Sequence, residues 1–193
     1  MMNRLILASK SPRRKELFEK LPWDFICEPS NAEENVPGTL SVFETAEYLS
    51  SVKAEEVWSR HKGEGMVVVG SDTVVILNGV IYGKPHTKET ASEMLHELSG
   101  RTHTVSTGVT IISDSKKESF TSETEVTFFE LTDKEIEDYI ATGEPMDKAG
   151  AYGIQGDGAF FVREIKGDYY TVMGLPFAMV KRKLDDFTEL VNE

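Results

Sequence analysis

Short apolar runs alternate with segments of helical spacing in the first half of the chain. Leu5–Ala8 and Met66–Val69 are continuous apolar runs, which are typical of strands buried on both faces. Ser11 followed by Pro12 supplies an N-cap and a proline at the first helical position, so the pattern predicts a helix that continues to about Leu21. The other elements predicted in this half are a strand at 25–27, a loop around 30–39 and a helix at 45–58.

The second half of the chain contains clear turn and cap signals. Asn78-Gly79 separates two apolar runs and predicts a hairpin with a two-residue turn. Thr132 followed by Glu135 forms a capping box, which predicts a short helix that stops near Gly143. The other predicted elements are a helix at 87–99, strands with one solvated face at 102–112 and 118–131, a hairpin of strands 159–165 and 169–172, and a last helix from Pro176 that includes Phe187. This order of elements predicts one compact α/β domain over residues 1–193, with a central mixed sheet flanked by helices.

Composition narrows the class of protein. Cys27 is the only cysteine among 193 residues, which excludes a disulfide scaffold within the chain. A formal net charge of −12 argues against a general binder of nucleic acid or of anionic membranes. No apolar run approaches the roughly 18 residues of a membrane span, so we expect a cytoplasmic protein.

The charge is unevenly distributed, with a basic cluster at the amino-terminal end. Residues 1–22 carry six basic and two acidic side chains, a net charge of +4, so the rest of the chain carries −16. A small basic region on an acidic protein predicts a local site for a small anion. The six basic residues are Arg4, Lys10, Arg13, Arg14, Lys15 and Lys20.

Two segments could carry chemistry. Arginines at the start of the predicted helix oppose the helix macrodipole, so an anion such as phosphate would stabilise Arg13 and Arg14 there together with Ser9. Surface arginines with no ligand are the alternative interpretation. Gly70–Thr73 directly follows a predicted buried strand, where Asp72 would serve catalysis or metal binding at the carboxyl edge of a sheet. An ordinary aspartate turn is the alternative there.

Two further segments give weaker signals. Lys84 stands between a glycine and a proline and could supply a point charge for phosphate, although an exposed turn lysine is the simpler interpretation. Glycines at 150, 153 and 156 would let the backbone approach a ligand closely. The sequence contains no Walker loop, no HExxH motif and no dinucleotide-binding glycine pattern.

Taken in order, these segments resemble the Maf family of nucleotide pyrophosphatases. The motifs that carry the resemblance are LILASKSPRRKELF, SVKAEEV, GSDTVV, YGKP, LSGRTHTVSTGV, EPMDKAGAYGIQGDGAFFV and GDYYTVMGLP. The GSDT and KAGAYGIQG forms are similar to the branch that hydrolyses dTTP and UTP. The resemblance implies an elongated, bilobed α/β fold similar to that of inosine-triphosphate pyrophosphatases. It also implies a divalent metal, Mg²⁺ or Mn²⁺, a nucleotide substrate, and products that are a nucleoside monophosphate and pyrophosphate.

The resemblance also implies roles for individual residues. Asp72 matches the proton acceptor of the family, and Glu34 matches an acidic metal or catalytic position, with Glu33 beside it leaving the register open. Two carboxylates and substrate oxygens are a usual set of ligands for Mg²⁺. The phosphate-contacting positions are Ser9, Arg13, Arg14, Lys53 and Lys84, and the positions linked to substrate choice are Arg13, Thr73 and Gln155.

Several alternatives remain open at the level of sequence. A nucleotide-binding regulator of cell division, suggested by the family's association with septum formation, would bind without turnover. A housecleaning hydrolase of modified nucleotides would differ in its substrates. The sequence does not rank dTTP against UTP, name the metal, or decide whether a homodimer forms.

Overall fold

The computed structural model describes residues 5–187, which form a seven-stranded sheet with helices. The strands are β1 (Leu5–Leu7), β2 (Phe25–Cys27), β3 (Val67–Leu77), β4 (Val80–Tyr82), β5 (Thr102–Ile112), β6 (Lys117–Phe128) and β7 (Val162–Lys166). The helices are α1 (Pro12–Phe18), α2 (Thr45–Arg60), α3 (Lys88–Leu98), α4 (Asp133–Ala141), α5 (Tyr169–Met173) and α6 (Phe177–Leu184), with short 3-10 turns at Glu144–Asp147, Ala149–Ala151 and Asp157–Phe161.

The sheet contains both parallel and antiparallel pairs. Its strand order is β2-β1-β3-β5-β6-β7, and β4 pairs with β3 off this path. β1 lies parallel to both β2 and β3, whereas β4 pairs antiparallel with β3 and β7 pairs antiparallel with β6. The prediction of an α/β fold around a mixed sheet is therefore confirmed.

Three caps and turns form where the local sequence predicted them. The Ser11 side chain accepts a hydrogen bond from the Arg14 N–H at the start of α1. Asn78 and Gly79 have φ values of 52° and 76°, the left-handed pair that a two-residue hairpin turn requires. The predicted capping box at Thr132 is present in full at the start of α4.

Contacts divide the chain into two compact units. Within residues 5–187, the first contains residues 5–72, 107–122 and 174–187, and the second contains residues 73–106 and 123–173. Each unit has its own apolar core. In the first, α2 packs on the sheet around β1, β3 and the end of β5 through Ile6, Ala8, Ala54, Val57, Val68 and Ile112. In the second, the larger side chains of the core come from α3, α4, β6, the last 3-10 turn and the segment before that turn, among them Leu95, Leu98, Phe128, Ile136, Tyr139, Tyr152 and Phe161.

Two predicted elements are wrong in the last third of the chain. Residues 169–173 are not the second strand of a hairpin but helix α5, and β7 pairs with β6 instead. The Asp168 carboxylate accepts a hydrogen bond from the Thr171 N–H at 2.8 Å, which starts a helical turn. The last helix ends at Leu184, before Phe187, which is nevertheless buried.

Strand boundaries and burial also differ from the sequence pattern. β5 has no solvated face along most of its length, because it lies inside the sheet between β3 and β6. Helix α1 ends at Phe18, three residues before the predicted end, and β6 ends at Phe128, also three residues early. No helix within residues 5–187 is both long enough and apolar enough to cross a membrane.

Candidate active site

A lysine on α2 joins two carboxylates in the first unit. The Lys53 Nζ lies 3.1 Å from Glu34 Oε1 and also donates a hydrogen bond to Asp72 Oδ1. The Lys53 and Asp72 side chains are only 15% and 13% exposed, whereas Glu34 is 53% exposed. The pair of Lys53 with Asp72 is therefore largely shielded from water, where charges interact more strongly than at the surface.

The strand that carries Asp72 is longer than predicted, and this changes the origin of the site. Gly70 to Thr73 was expected to follow a buried strand, with an aspartate turn as the alternative, but all four residues lie inside β3. The strand that ends here is β1, because Leu7 pairs with Val69 and the Ala8 N–H donates to the Val69 carbonyl at 2.8 Å. Asp72 therefore lies on a strand that continues beyond the carboxyl end of its parallel neighbour.

Side chains alternate between the two faces of β3, and this alternation places the Asp72 side chain on the face that α2 covers. A Cβ added to Gly70 would lie 2.4 Å from the Ser50 carbonyl oxygen and 2.8 Å from the Ala54 nitrogen, so α2 rests directly on the strand at this glycine. Asp72 lies two residues further along and faces the same side of the sheet. It therefore meets Lys53, which precedes Ala54 on α2.

Basic side chains at the start of α1 lie in the same unit. The first turn of α1 contains no acidic residue, as the sequence showed. Arg14 Nε donates to the Gly174 carbonyl at 2.7 Å, and the buried Ser71 hydroxyl donates to the same oxygen at 3.0 Å. Burial lowers the pKa of Arg14, and the nearby charge of Asp72 partly offsets this effect. Arg14 is thus a half-buried cation held close to the carboxylate cluster.

Arg13 and Ser9 differ from Arg14 in their contacts. Within residues 5–187 the half-exposed Arg13 side chain forms no hydrogen bond or ion pair, so its guanidinium is available to a ligand. Ser9 Oγ accepts a hydrogen bond from the Ser11 N–H at 3.1 Å, which shapes the turn between β1 and α1. Arg4, part of the predicted basic cluster, lies outside the described residues.

The structure separates the two neighbouring glutamates. Glu34 contacts Lys53, whereas Glu33 accepts a hydrogen bond from the Asn35 side chain at 3.0 Å. Glu34 is therefore the carboxylate that joins the cluster.

Three predicted residues belong to the second unit. Thr73 is half-buried on β3, next along the chain to Asp72. Lys84 is exposed in the loop after β4, and Gln155 is exposed in the glycine-rich segment. The structure therefore gathers Glu34, Lys53 and Asp72 into direct contact and leaves Lys84 and Gln155 at the surface of their own unit.

The glycines of that segment have protein neighbours. A Cβ added at any of the three glycines expected to approach a ligand would lie under 3 Å from another atom of this chain. These neighbours are Val75 at Gly150, Lys148 at Gly153 and Glu144 at Gly156.

Sequence reasoning missed the residues that hold these groups in place. Ser71 and Gly174 meet across 103 positions of the chain, and no local pattern encodes such a contact. Glu144 is the first residue of the EPMDKAGAYGIQGDGAFFV motif, and its acidic character was the only signal available.

Asp72 and Glu34 are suitable ligands for a hard divalent cation. Their carboxylate oxygens converge on one point, where the Lys53 ammonium now provides the positive charge. Mg²⁺ commonly takes one or two protein carboxylates and fills its remaining positions with water and substrate phosphate oxygens. Within residues 5–187, no group of three or more His, Cys, Asp or Glu side chains is arranged to hold a metal ion.

Comparison with known proteins finds a family and curated relatives that match nearly the whole chain. The family described as Maf-like protein matches residues 4–187. A protein named dTTP/UTP pyrophosphatase from Bacillus pumilus is 48% identical over 186 residues, which are 96% of this chain and 97% of that protein. One of the same name from Bacillus velezensis is 48% identical over 187 residues, 97% of this chain and 98% of its own. Among solved structures, the Staphylococcus aureus Ham1 protein has a TM-score of 0.45 at 17% identity, covering 64% of this chain and 71% of that one.

Proposed function

Because this chain belongs to the Maf family, we propose that it hydrolyses dTTP and UTP to the nucleoside monophosphate and pyrophosphate. The prediction of an enzyme that releases pyrophosphate agrees with the names of its curated relatives, which match nearly the full length of both chains. The observation that carries the proposal is the cluster of Lys53 with two carboxylates, beside the half-buried Arg14.

The first requirement of this reaction is neutralisation of the substrate's charge. A nucleoside triphosphate carries about four negative charges, which repel an attacking nucleophile unless cations offset them. Arg13 is free of partners within the described chain, and its fork of N–H donors fits phosphate oxygens. Arg14 is held by the Gly174 carbonyl, so its guanidinium is ordered before a nucleotide binds. Ser9 and Lys84 would add contacts to the phosphates.

The second requirement is a base that takes a proton from water. We assign this role to Asp72, whose carboxylate is oriented by Lys53 and shielded from bulk solvent. As the water oxygen bonds to the α-phosphorus, one water proton moves to Asp72, and the bond from the α-phosphorus to the α–β bridging oxygen breaks, so that this oxygen leaves as part of pyrophosphate. The Lys53 ammonium lies between the Asp72 and Glu34 carboxylates, so it offsets part of the negative charge that these carboxylates and the substrate bring together.

A divalent cation would bind at Asp72 and Glu34. Such an ion, when bound, lowers the pKa of water and screens the phosphate oxygens. The contribution of the chain is to supply two oxygen ligands, and the more exposed Glu34 is free to turn toward an incoming metal–nucleotide complex.

Preference for thymine and uracil would depend on Gln155. The edge of these bases presents two carbonyl oxygens and an N–H, and a glutamine amide offers both a donor and an acceptor to pair with it. Arg13 and Thr73 are the other positions that we assign to substrate choice.

A panel of nucleoside triphosphates with Mg²⁺ or Mn²⁺, with pyrophosphate and phosphate measured separately, tests the proposal. We expect pyrophosphate release from dTTP and UTP, and a loss of at least about 10²-fold in kcat for Asp72→Asn. The matched control is Asp114→Asn, since Asp114 is a carboxylate of the same unit that, among residues 5–187, bonds only to the Gly63 and Gly65 N–H groups. Tight nucleotide binding without turnover would refute the proposed hydrolase and favour a regulator.

A further inference from the structure

The segment 153–157, which carries Gln155, is linked by hydrogen bonds at both ends to the Glu144 carboxylate. The Asp157 N–H donates to Glu144 Oε2 at 3.0 Å. At the other end, the Gly153 N–H donates to the Tyr139 hydroxyl at 3.1 Å, and that hydroxyl donates to Glu144 Oε1 at 2.9 Å. Gln155 lies two residues from each anchored amide. Both oxygens of the Glu144 side chain are therefore used to hold this segment.

The Glu144 carboxylate packs directly against the backbone of this segment at Gly156. A Cβ added to Gly156 would lie 2.2 Å from Glu144 Oε2 and 2.4 Å from Oε1, and one added to Gly158 would lie 2.8 Å from the Tyr139 hydroxyl. Any side chain at Gly156 would push the carboxylate away from the backbone. The absence of a side chain at Gly156 lets the backbone pack against the Glu144 carboxylate, and the absence of one at Gly158 leaves room for the Tyr139 hydroxyl.

Tyr139, which links Gly153 to Glu144, is buried and closely packed. Tyr139 is 4% exposed, and its ring packs edge-on against Phe161 with centroids 4.9 Å apart. Burial raises the pKa of Tyr139, so its hydroxyl keeps the proton that it donates to Glu144. Hydrogen bonds to a charged acceptor are roughly twice as strong as neutral ones.

We propose that Glu144, acting directly and through Tyr139, is a positioning residue that sets the place of the Gln155 amide and thereby the preference for thymine and uracil. Gln155 is exposed and forms no hydrogen bond of its own within the described chain, so the backbone on either side determines where its amide points. This inference rests on the proposed function, because it takes Gln155 to contact the base.

Two variants test the arrangement at different atoms. Glu144→Gln keeps the size of the side chain but turns an NH₂ group toward one of the two donors, and Tyr139→Phe removes the hydroxyl that relays to Gly153. Each should lower the ratio of kcat/KM for dTTP to that for CTP by a factor of about five or more, as expected when one partly buried hydrogen bond is lost. CTP serves as the reference because cytosine presents an amino group and an unprotonated ring nitrogen on the same edge.

The same variants in a Gln155→Ala background separate positioning from general damage. If Glu144 acts through Gln155, neither Glu144→Gln nor Tyr139→Phe changes the dTTP:CTP ratio further once Gln155 is absent. An equal fall of the ratio in both backgrounds would overturn the inference, and so would an equal loss for every nucleotide. The matched control is Tyr152→Phe, a buried tyrosine whose hydroxyl lies 2.8 Å from His103 Nε2, and it should leave the ratio unchanged.

Amide hydrogen exchange in the nucleotide-free protein provides a readout that does not depend on activity. The Asp157 amide should exchange at least about tenfold faster in Glu144→Gln, because Glu144 Oε2 is its acceptor, and the Gly153 amide should do so in Tyr139→Phe, because the Tyr139 hydroxyl is its acceptor. Unchanged exchange at both amides would overturn the anchoring role. If the wild-type protein hydrolyses neither dTTP nor UTP, the proposed function fails while the exchange result still decides whether Glu144 anchors the segment.

Discussion

Replacement of Asp72 by asparagine should affect stability as well as catalysis, because it leaves the Lys53 ammonium with a single partner. Removal of one member of a fully buried ion pair costs about 3–5 kcal/mol. The cost here is smaller, since Lys53 remains 15% exposed and Glu34 stays 3.1 Å from its Nζ. We therefore expect Asp72→Asn to keep the fold, to lower the free energy of unfolding by about 1–3 kcal/mol, and to lower kcat at least 10²-fold with near-normal nucleotide affinity.

A double-mutant cycle with Lys53→Met isolates the pair. Urea denaturation of the wild type, both single variants and the double variant gives the interaction free energy, which should be at least about 1 kcal/mol. Asp72→Asn should cost little in the Lys53→Met background, because no buried cation is then left without its partner. Single-variant effects that add to within about 0.5 kcal/mol would refute the argument that Lys53 and Asp72 stabilise each other.

Three further predictions concern residues outside the Lys53–Asp72 pair. Arg13→Ala should weaken triphosphate use while leaving Tm unchanged or slightly raised, whereas Arg14→Ala should lower both activity and Tm, because Arg14 Nε bonds to the Gly174 carbonyl; a fall in Tm for Arg13→Ala would contradict the first part. Gln155→Glu should lower kcat/KM for dTTP and UTP by about 5- to 150-fold and lower the dTTP:CTP ratio, and an unchanged ratio would exclude base reading by Gln155. Burial lowers the pKa of His103 to about 4, below its ordinary value of 6.5, so the unfolded chain binds a proton more readily than the folded one. Stability should therefore be lost as pH falls from about 6.5 toward 4, and urea denaturation over this range should show a weaker pH dependence in His103→Gln.

The elements that sequence reasoning placed well are those encoded by a few neighbouring residues. Ser11 caps α1 through the N–H of a residue three positions away, and Asn78 with Gly79 forms the tight turn by its own backbone preferences. The capping box at Thr132 closes within four residues. Such contacts have the same partners in nearly any fold, so the local sequence is enough to predict them.

The family resemblance supplied site residues that spacing could not. Lys53 lies on a helix whose residue spacing alone signals no chemistry, and its role depends on contacts with Glu34 and Asp72, each 19 positions away in sequence. The choice between Glu33 and Glu34 likewise required the structure. Contacts between distant segments depend on how helices pack on the sheet, which a single sequence does not reveal.

By itself, then, the sequence determined the caps, the tight turn, the alternation of strands with helices and the basic start of α1. Only the tertiary structure decided that β3 continues through Gly70 and Asp72, because strand length depends on pairing with β1 and β4 and on the close approach of α2 to Gly70. It also decided that residues 169–173 are a helix, since the backbone of Asp168, whose side chain accepts from the Thr171 N–H, is held by two hydrogen bonds with the distant Thr124 hydroxyl. The physical reason is range: a cap or turn is satisfied within a few residues, whereas a strand end, a buried ion pair and a tethered loop are satisfied by atoms that only folding brings together.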